Sequence, residues 1–313
     1  MKPIVHWLRF DQKISGLYTY TYSLHKATQA LGYESHICYT DEDLKDGGTI
    51  NLPNPVIGKV DFSPWEVSKG AINITHDQLP HMKLDNWVAE MHGHPLFAAS
   101  EMDSLVACMH KLERVKLILT RFPSHVQYWQ QCTKAPIHTI PPGVDLNYWK
   151  PEGKKQFFKR PIILWADTVR PPIKDPTSLL YAMKIISNEL PLHGLKLVGI
   201  PPNELMGYAY LWGALRLDAA MEYPIEAMTL NMGELYRAAD VMYSDTNEEG
   251  SNASWEAEAC GCPVIHHKNS PEEIAQAIIA AIKEKPMHVP RRRDIKDTAR
   301  AMIAHFEGTQ WTS

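Results

Sequence analysis

Short apolar runs alternate along the chain with longer segments whose apolar residues recur at helical spacing, which predicts repeated strand–helix units. Ile4 to Leu8 reads as a strand, Leu17 to Leu31 as a helix stopped by Gly32, and His36 to Tyr39 as a second strand. Gly70 to Thr75, Trp87 to Met91 and Leu117 to Thr120 are further strands, each running into a polar loop. The second half repeats the pattern. Ile162 to Trp165 predicts a strand, and Thr177 to Ile186 a helix with Leu179, Leu180, Met183 and Ile186 on one face. Tyr208 to Leu217 is apolar at helical spacing and reads as core, and Asp294 to Phe306 is periodic enough for a closing helix.

The stretch from Leu235 to Ile265 carries the most chemistry. Val241 to Tyr243 is a strand, and the polar run Ser244 to Gly250 cannot pack, so it is a loop. Ser251 and Asn252 are helix N-cap candidates. The helix then passes Trp255 and Ala259 and ends at Gly261, before a strand opened by Pro263, Val264 and Ile265. Glu248 and Glu256 bracket the helix start. Between them, the backbone amides of Asn252 and Ala253 lie at the positive end of the helix dipole, where anions bind. Carboxylates on either side of anion-binding amides suit a sugar nucleotide, whose hydroxyls need acceptors and whose diphosphate needs donors.

This segment resembles the signature of GT-B glycosyltransferases, especially the retaining enzymes of glycosyltransferase family 4. The lead-in is Tyr236, Arg237, Ala238, Ala239 and Asp240, and the exit is Ala259, Cys260, Gly261, Cys262, Pro263 and Val264. The pattern is departed from in two places. Glu249 and Gly250 stand where the family has glycine and an aromatic, so Glu249 joins Glu248 as a candidate for the donor sugar, and Glu258 replaces an apolar residue. A second matching stretch is Ile140 to Asp145 followed by Tyr148, Trp149 and Pro151, similar to the family's crossing between domains.

The resemblance implies an α/β chain of the GT-B class, with two Rossmann-like domains facing across a cleft. Residues 1–150 would form the N-terminal, acceptor-side domain, with a helix at about 294–306 packing back onto it. Residues 151–290 would form the nucleotide-sugar-binding domain. His92, at the end of a predicted strand, matches the family's cleft histidine, and with Glu248 is the catalytic candidate. Gly16, Arg170, Lys174, Ser251, Asn252, Ala253 and Glu256 are the implied contacts to donor diphosphate and nucleotide. Fixed cations on the departing diphosphate would take the place of a metal, so no metal or other cofactor is expected. The implied reaction moves a sugar from a nucleotide-sugar donor to an acceptor hydroxyl with retention. A glycan, a lipid-linked glycan, a small molecule or a modified base in DNA all suit the acceptor role. A reading from another class is a non-catalytic nucleotide-sugar binding module.

Composition narrows the setting. A chain of 313 residues is long enough for two domains of about 150. Hydrophobic content of 44% and charged content of 22% are those of an ordinary globular protein, and the formal charge of −4 gives no global pull toward nucleic acid. No window reaches ~18 uninterrupted apolar residues, so no transmembrane segment is expected, and the start is too short and polar for a signal peptide. Five scattered cysteines suit a reducing, cytoplasmic compartment, with Cys260 and Cys262 as packing. Asp41, Glu42 and Asp43 read as a solvated turn.

Overall fold

Parallel strand pairing organises the computed structural model, which describes residues 1–8, 16–51, 58–77, 79–80, 82–92, 105–167, 169, 174–226, 231–245, 251–284, 293–309 and 311. The chain divides into two units, Met1–Asp145 with Arg293–Ser313, and Leu146–Arg292. Elements below are numbered in chain order.

The N-terminal unit is built on β1 (Ile4–Leu8), β2 (Ser35–Tyr39), β5 (Ile72–His76), β6 (Trp87–Met91), β7 (Leu117–Thr120) and β8 (Ile137–Thr139). They form one sheet in the order β2-β1-β5-β6-β7-β8, every pair parallel. Strands β1, β5, β6 and β7 are buried along their whole length. A parallel sheet is covered on both faces, so β1, β6 and β7 read as nearly continuous apolar runs, while β5 alternates with Asn73 and Thr75, which are buried all the same. β3 (Gly48–Asn51) and β4 (Lys59–Phe62) form a separate antiparallel pair that the sequence pattern does not reveal. Helix α1 (Gly16–Ala30) is stopped at Gly32, whose φ of 88° suits glycine at a helix end. Among the described residues the other helices of this unit are α2 (Leu105–Leu112), α3 (Pro123–Cys132) and, after the C-terminal unit, α9 (Ile295–Glu307).

The C-terminal unit repeats the plan. Its strands β9 (Ile162–Ala166), β10 (Gly194–Val198), β11 (Met221–Glu226), β12 (Val241–Ser244) and β13 (Val264–His266) pair in parallel in the order β11-β10-β9-β12-β13. Its helices include α4 (Thr177–Glu189), α5 (Pro202–Ala214), α6 (Met232–Ala238), α7 (Asn252–Ala259) and α8 (Pro271–Glu284). One face of α4 (Leu179, Leu180, Met183, Ile186) and one of α8 (Ile274, Ile278) meet Ile163, Leu195 and Val241 of the sheet in a single core. Helix α5 corrects the sequence reading in part. Tyr208 and Trp212 enter the core, but Tyr210 on the same helix is 81% exposed.

The segment after β8 is zipped to the start of α9. The amide of Val144 donates to the carbonyl of Arg293 at 3.1 Å, and the amide of Ile295 donates to the carbonyl of Val144 at 2.9 Å. Thr298 Oγ1 donates to the carbonyl of Pro141 at 2.9 Å. Asp294 caps the helix through the amide of Lys296, and Ile295, Ala299, Met302 and Phe306 then pack with Tyr20 and Leu24 of α1. Among the described residues no helix is long and apolar enough to cross a membrane.

Gly143 is glycine because of this close approach. A methyl group there would lie 2.9 Å from the carbonyl oxygen of Asp294 and 2.9 Å from Cα of Ile295, with backbone on both counts. Gly143→Ala should therefore lower the unfolding free energy by about 1–3 kcal/mol, the usual cost of overpacking. Denaturant titration checks this, and an unchanged midpoint would show that the α9 junction yields freely.

Candidate active site

Each sheet has one place where neighbouring strands lead away in opposite directions of chain order: β1/β5 in the first unit and β9/β12 in the second. In open α/β sheets, ligands bind outside the carboxyl ends of strands at such switch points. The chemistry-bearing residues of this chain collect at both.

In the C-terminal unit, Asp167 follows β9 and Asp245 follows β12. Asp245 is buried and accepts two hydrogen bonds, from the backbone amide of Asp175 and from Trp165 Nε1 at 3.4 Å. Asp175 in turn accepts from the amide and hydroxyl of Thr177 at 2.9 and 2.6 Å and from the hydroxyl of Tyr208 at 3.0 Å. The backbone beside Lys174 is thus held by Asp245 at the end of β12. Lys174 itself reaches Asp167, with Nζ 2.7 Å from Oδ1. Burial pushes the Asp245 carboxyl up to about 6, with Asp167 adding to the shift and the amide of Asp175 opposing it.

Helix α7 starts as the sequence suggests. Ser251 is the N-cap, its hydroxyl accepting from the amide of Ser254 at 3.2 Å, while Ser254 Oγ reciprocates to the amide of Ser251 at 2.8 Å. The amides of Asn252 and Ala253 lie in the first turn, outside the helical ladder. Glu256, one turn on, is only 8% exposed. Burial raises its carboxyl to about 8; the charge of Asp167 adds to this, and a hydrogen bond from Tyr236 works against it. At neutral pH Glu256 is therefore mostly a neutral acid, able to donate as well as accept. Glu258 is buried too, with His266 Nε2 at 3.5 Å from its Oε1.

The linker side of this unit is fixed by Arg237, which donates to the carbonyls of Lys154 at 2.8 Å and Lys150 at 3.2 Å. Trp149 packs on Tyr236 with ring centroids 5.8 Å apart. Cys260 and Cys262 are free thiols in the core, and burial pushes the Cys260 thiol up to about 12. They pack.

In the N-terminal unit, a charged network lies under the carboxyl edge of β5, β6 and β7. Glu90, fully buried in β6, has His76 Nδ1 2.6 Å from Oε2, and it accepts from the hydroxyl of Tyr20 at 2.6 Å on Oε1. His92 Nε2 lies 3.2 Å and Arg121 Nε 3.7 Å from the same Oε1. The guanidinium carbon of Arg121 also sits 3.8 Å over the ring of Tyr20. Burial opposes ionisation of Glu90, but His76, His92 and their hydrogen bonds outweigh it and hold the carboxyl well below its usual range. His92 is held neutral, first by burial and then by Arg121, with Glu90 and Asp77 opposing. Asp77 adopts a left-handed backbone, φ 52°, and its Oδ1 accepts from the amide of His92 at 3.2 Å.

The side-chain ligand atoms of His76, Glu90 and His92 all lie within 4.8 Å of one another, a donor set that could hold a metal ion. The remaining contacts do not suit one. The 2.6 Å approach of His76 to Glu90 is a hydrogen bond that a metal would have to break, and the Arg121 guanidinium already balances the carboxylate charge.

The structure thus gathers Lys174, Ser251, Asn252, Ala253 and Glu256 within the C-terminal unit, and places Gly16 as the first residue of α1 and His92 just beyond β6 in the N-terminal unit. Arg170, Glu248 and Glu249 lie outside the described residues. Sequence reasoning missed Asp167, Asp175, Asp245 and Tyr208, and the partners of His92. Asp41 caps a single 3-10 turn, and Asp41, Glu42 and Asp43 are exposed.

Solved structures share this architecture. The chain is similar to sucrose-phosphate synthase from Thermosynechococcus elongatus, with a TM-score of 0.66 and 16% identity over 98% of both chains. HepE from Anabaena, in complex with UDP and glucose, gives a TM-score of 0.68 at 11% identity, over 98% of this chain and 100% of that one. The chain has the GT-B fold. Within that fold its sequence is similar to D-inositol 3-phosphate glycosyltransferase from Xylanimonas cellulosilytica, 32% identical over 146 residues, which is 41% of this chain and 34% of that protein. The same enzyme from Segniliparus rotundus is 26% identical over 160 residues, 46% of this chain and 34% of that protein. The matched stretch spans about a third of the length of these curated relatives. The chain matches no protein-family model.

The state of Glu256 sets a pH dependence. Its carboxyl titrates at 4.5 ordinarily and at about 8 in the fold. Between those values the folded chain holds a proton that the unfolded chain has lost, so stability falls as pH rises through this window, and this group's contribution is fully lost above it. Asp245, raised to about 6, adds to the same slope at its lower end. Urea titrations from pH 5 to 8 should show declining stability, and Glu256→Gln should flatten the decline above pH 6. A Glu256→Gln variant with the parent's slope would place the proton elsewhere.

Proposed function

We propose that this chain is a glycosyltransferase that binds a nucleotide-sugar and moves its sugar to an acceptor hydroxyl, with retention and without a metal. The observation that carries this reading is the cradle at the β9/β12 switch point: a lysine on a braced loop, an N-terminal helix turn and a buried carboxyl. The GT-B fold and the similarity to D-inositol 3-phosphate glycosyltransferases support it.

In this reading Lys174 leaves Asp167 for the donor diphosphate, and Arg170 joins it. The amides of Asn252 and Ala253, in the turn capped by Ser251, hydrogen-bond the phosphate oxygens. A cation and oriented amides stabilise the charge that grows on the diphosphate as the sugar departs. Glu256 binds the ribose hydroxyls, and as a neutral acid it both donates and accepts there. Glu248, with Glu249 beside it in sequence, grips hydroxyls of the donor sugar, and His92 and Gly16 are the N-terminal unit's candidates for the reaction. In a retaining transfer the leaving diphosphate helps take the acceptor proton on the same face. Unpaired, buried thiols fit work in the cytoplasm.

HepE was solved with UDP and with UDP-glucose, which makes them the first probes. Lys174→Ala should weaken binding of the responding nucleoside diphosphate by about ten- to a hundred-fold, the worth of a hydrogen bond to a charged group. Calorimetry on the parent and variant, after a thermal-shift screen across nucleoside diphosphates, measures it. Unchanged affinity would remove Lys174 from the site. A chain that binds the diphosphate but turns over no donor on any acceptor would be a binding module instead.

A further inference from the structure

The N-terminal unit holds a line of buried polar groups that the proposed reaction does not by itself require. His6, in the middle of β1, places Nδ1 3.0 Å from His76 Nε2, with the two rings stacked at 5.2 Å. His76 passes on to Glu90 at 2.6 Å, and Glu90 meets Tyr20, Arg121 and His92. Tyr20 also packs edge-on against His92, centroids 5.3 Å apart and planes at 90°. His92 is thus gripped by a ring, by a carboxylate and, through its backbone amide, by Asp77.

The direction of each proton along this line follows from one constraint. An ionised carboxylate only accepts hydrogen bonds. A ring nitrogen carrying a lone pair, placed at hydrogen-bonding distance from it, would be repelled. His76 Nδ1 therefore carries hydrogen toward Glu90, and in a neutral ring its Nε2 accepts from His6 Nδ1–H. That leaves a lone pair on His6 Nε2, a buried atom with no hydrogen-bond partner in the structure. A buried acceptor without a partner is better tolerated than a buried N–H without one. The same argument applies to His92. Its Nε2, 3.2 Å from Glu90 Oε1, is off the line of a full hydrogen bond, yet a lone pair there would still face an anion.

We infer that Glu90 is a positioning residue: it fixes His92 in the Nε2–H tautomer and so leaves Nδ1 as the ring's acceptor for a sugar hydroxyl. The role in sugar binding rests on the glycosyltransferase reading above; the tautomer does not. Tyr20 and Arg121 complete the device. Tyr20 donates to Oε1 at 2.6 Å and the Arg121 guanidinium lies 3.7 Å from the same oxygen, while His76 and His92 hold the carboxyl well below its usual range against burial. His92 then stays a neutral acceptor rather than becoming an imidazolium, which has no lone pair to offer.

Long-range proton–nitrogen correlation spectra of the intact chain labelled in its histidine nitrogens test this, with His92→Gln used to assign the signals. At pH 7, His92 should show a protonated Nε2 and a lone-pair Nδ1. Glu90→Gln should replace this pattern by the averaged shifts of mixed tautomers, and lower kcat at least about ten-fold, the worth of one charged hydrogen bond. Tyr20→Phe should keep the parent tautomer. A protonated Nδ1, an imidazolium, or a metal ion on Nε2 in the parent chain would overturn the assignment. So would a Glu90→Gln chain with the parent pattern. If Glu90→Gln does not fold, the parent spectrum alone decides. A correct tautomer in a chain that transfers no sugar would sink the transferase reading and leave the positioning role standing.

Discussion

All strands of the two large sheets run parallel, and that single constraint decides where the chemistry of this protein lies. Parallel strands point every carboxyl end toward the same edge, and helices cover both faces, so polar groups have only that edge to go to. At β1/β5 and β9/β12 the chain order turns around, and the helices on either side leave the edge open. Asp167 and Asp245 emerge from neighbouring strands at the second of these points. His76, Glu90, His92 and Arg121 do so beside the first.

Two buried carboxyls show how the surroundings divide such groups into opposite roles. Glu90 is more deeply buried than Glu256, at 0% against 8% exposure, yet it is the one held ionised. What separates them is company. Glu90 has a tyrosine hydroxyl, two imidazoles and a guanidinium directed at it, all of which favour the anion. Glu256 has Tyr236 on its side but the negative charge of Asp167 against it, and burial wins. Surroundings alone thus make one carboxyl a fixed charge and the other a hydrogen-bond donor.

Much of this fold was legible in the sequence because the signals are local. Leu117 to Thr120 and Ile162 to Trp165 read as strands because they are apolar throughout, and Ser251, Gly32 and Gly261 mark helix ends by their own backbone preferences. Strand β10 was missed because Gly194 and Lys196 interrupt it, although Lys196 is buried to 1% exposure. The antiparallel pair β3–β4 is too short to stand out: Lys59 to Phe62 alternates exposed and buried, but over only four residues. The site partners failed for another reason: Tyr20, Glu90 and Arg121 come together across about a hundred residues of chain, and no local pattern encodes that. One signal was present. A lone glutamate inside the apolar run Trp87 to Met91 must be paired if the strand is buried, and it marks a network before any partner is known.

The pairing of Lys174 with Asp167 follows the same logic in the other unit. A lone lysine at the edge of a half-buried cradle would wander among rotamers and lose that freedom when an anion arrived. Asp167 holds the ammonium already extended along the strand edge, at 2.7 Å, and Asp245 braces the adjoining backbone. In the reading proposed above, an incoming diphosphate would exchange one anion for another at Lys174. Its advantage over Asp167 is its greater charge and its reach to the helix amides, neither of which a single carboxylate has. As Lys174 lets go, Asp167 loses its cation while still facing Glu256, so the proton on Glu256 becomes harder to remove. If Lys174 binds a diphosphate as proposed, that binding and the protonation of Glu256 are coupled through Asp167.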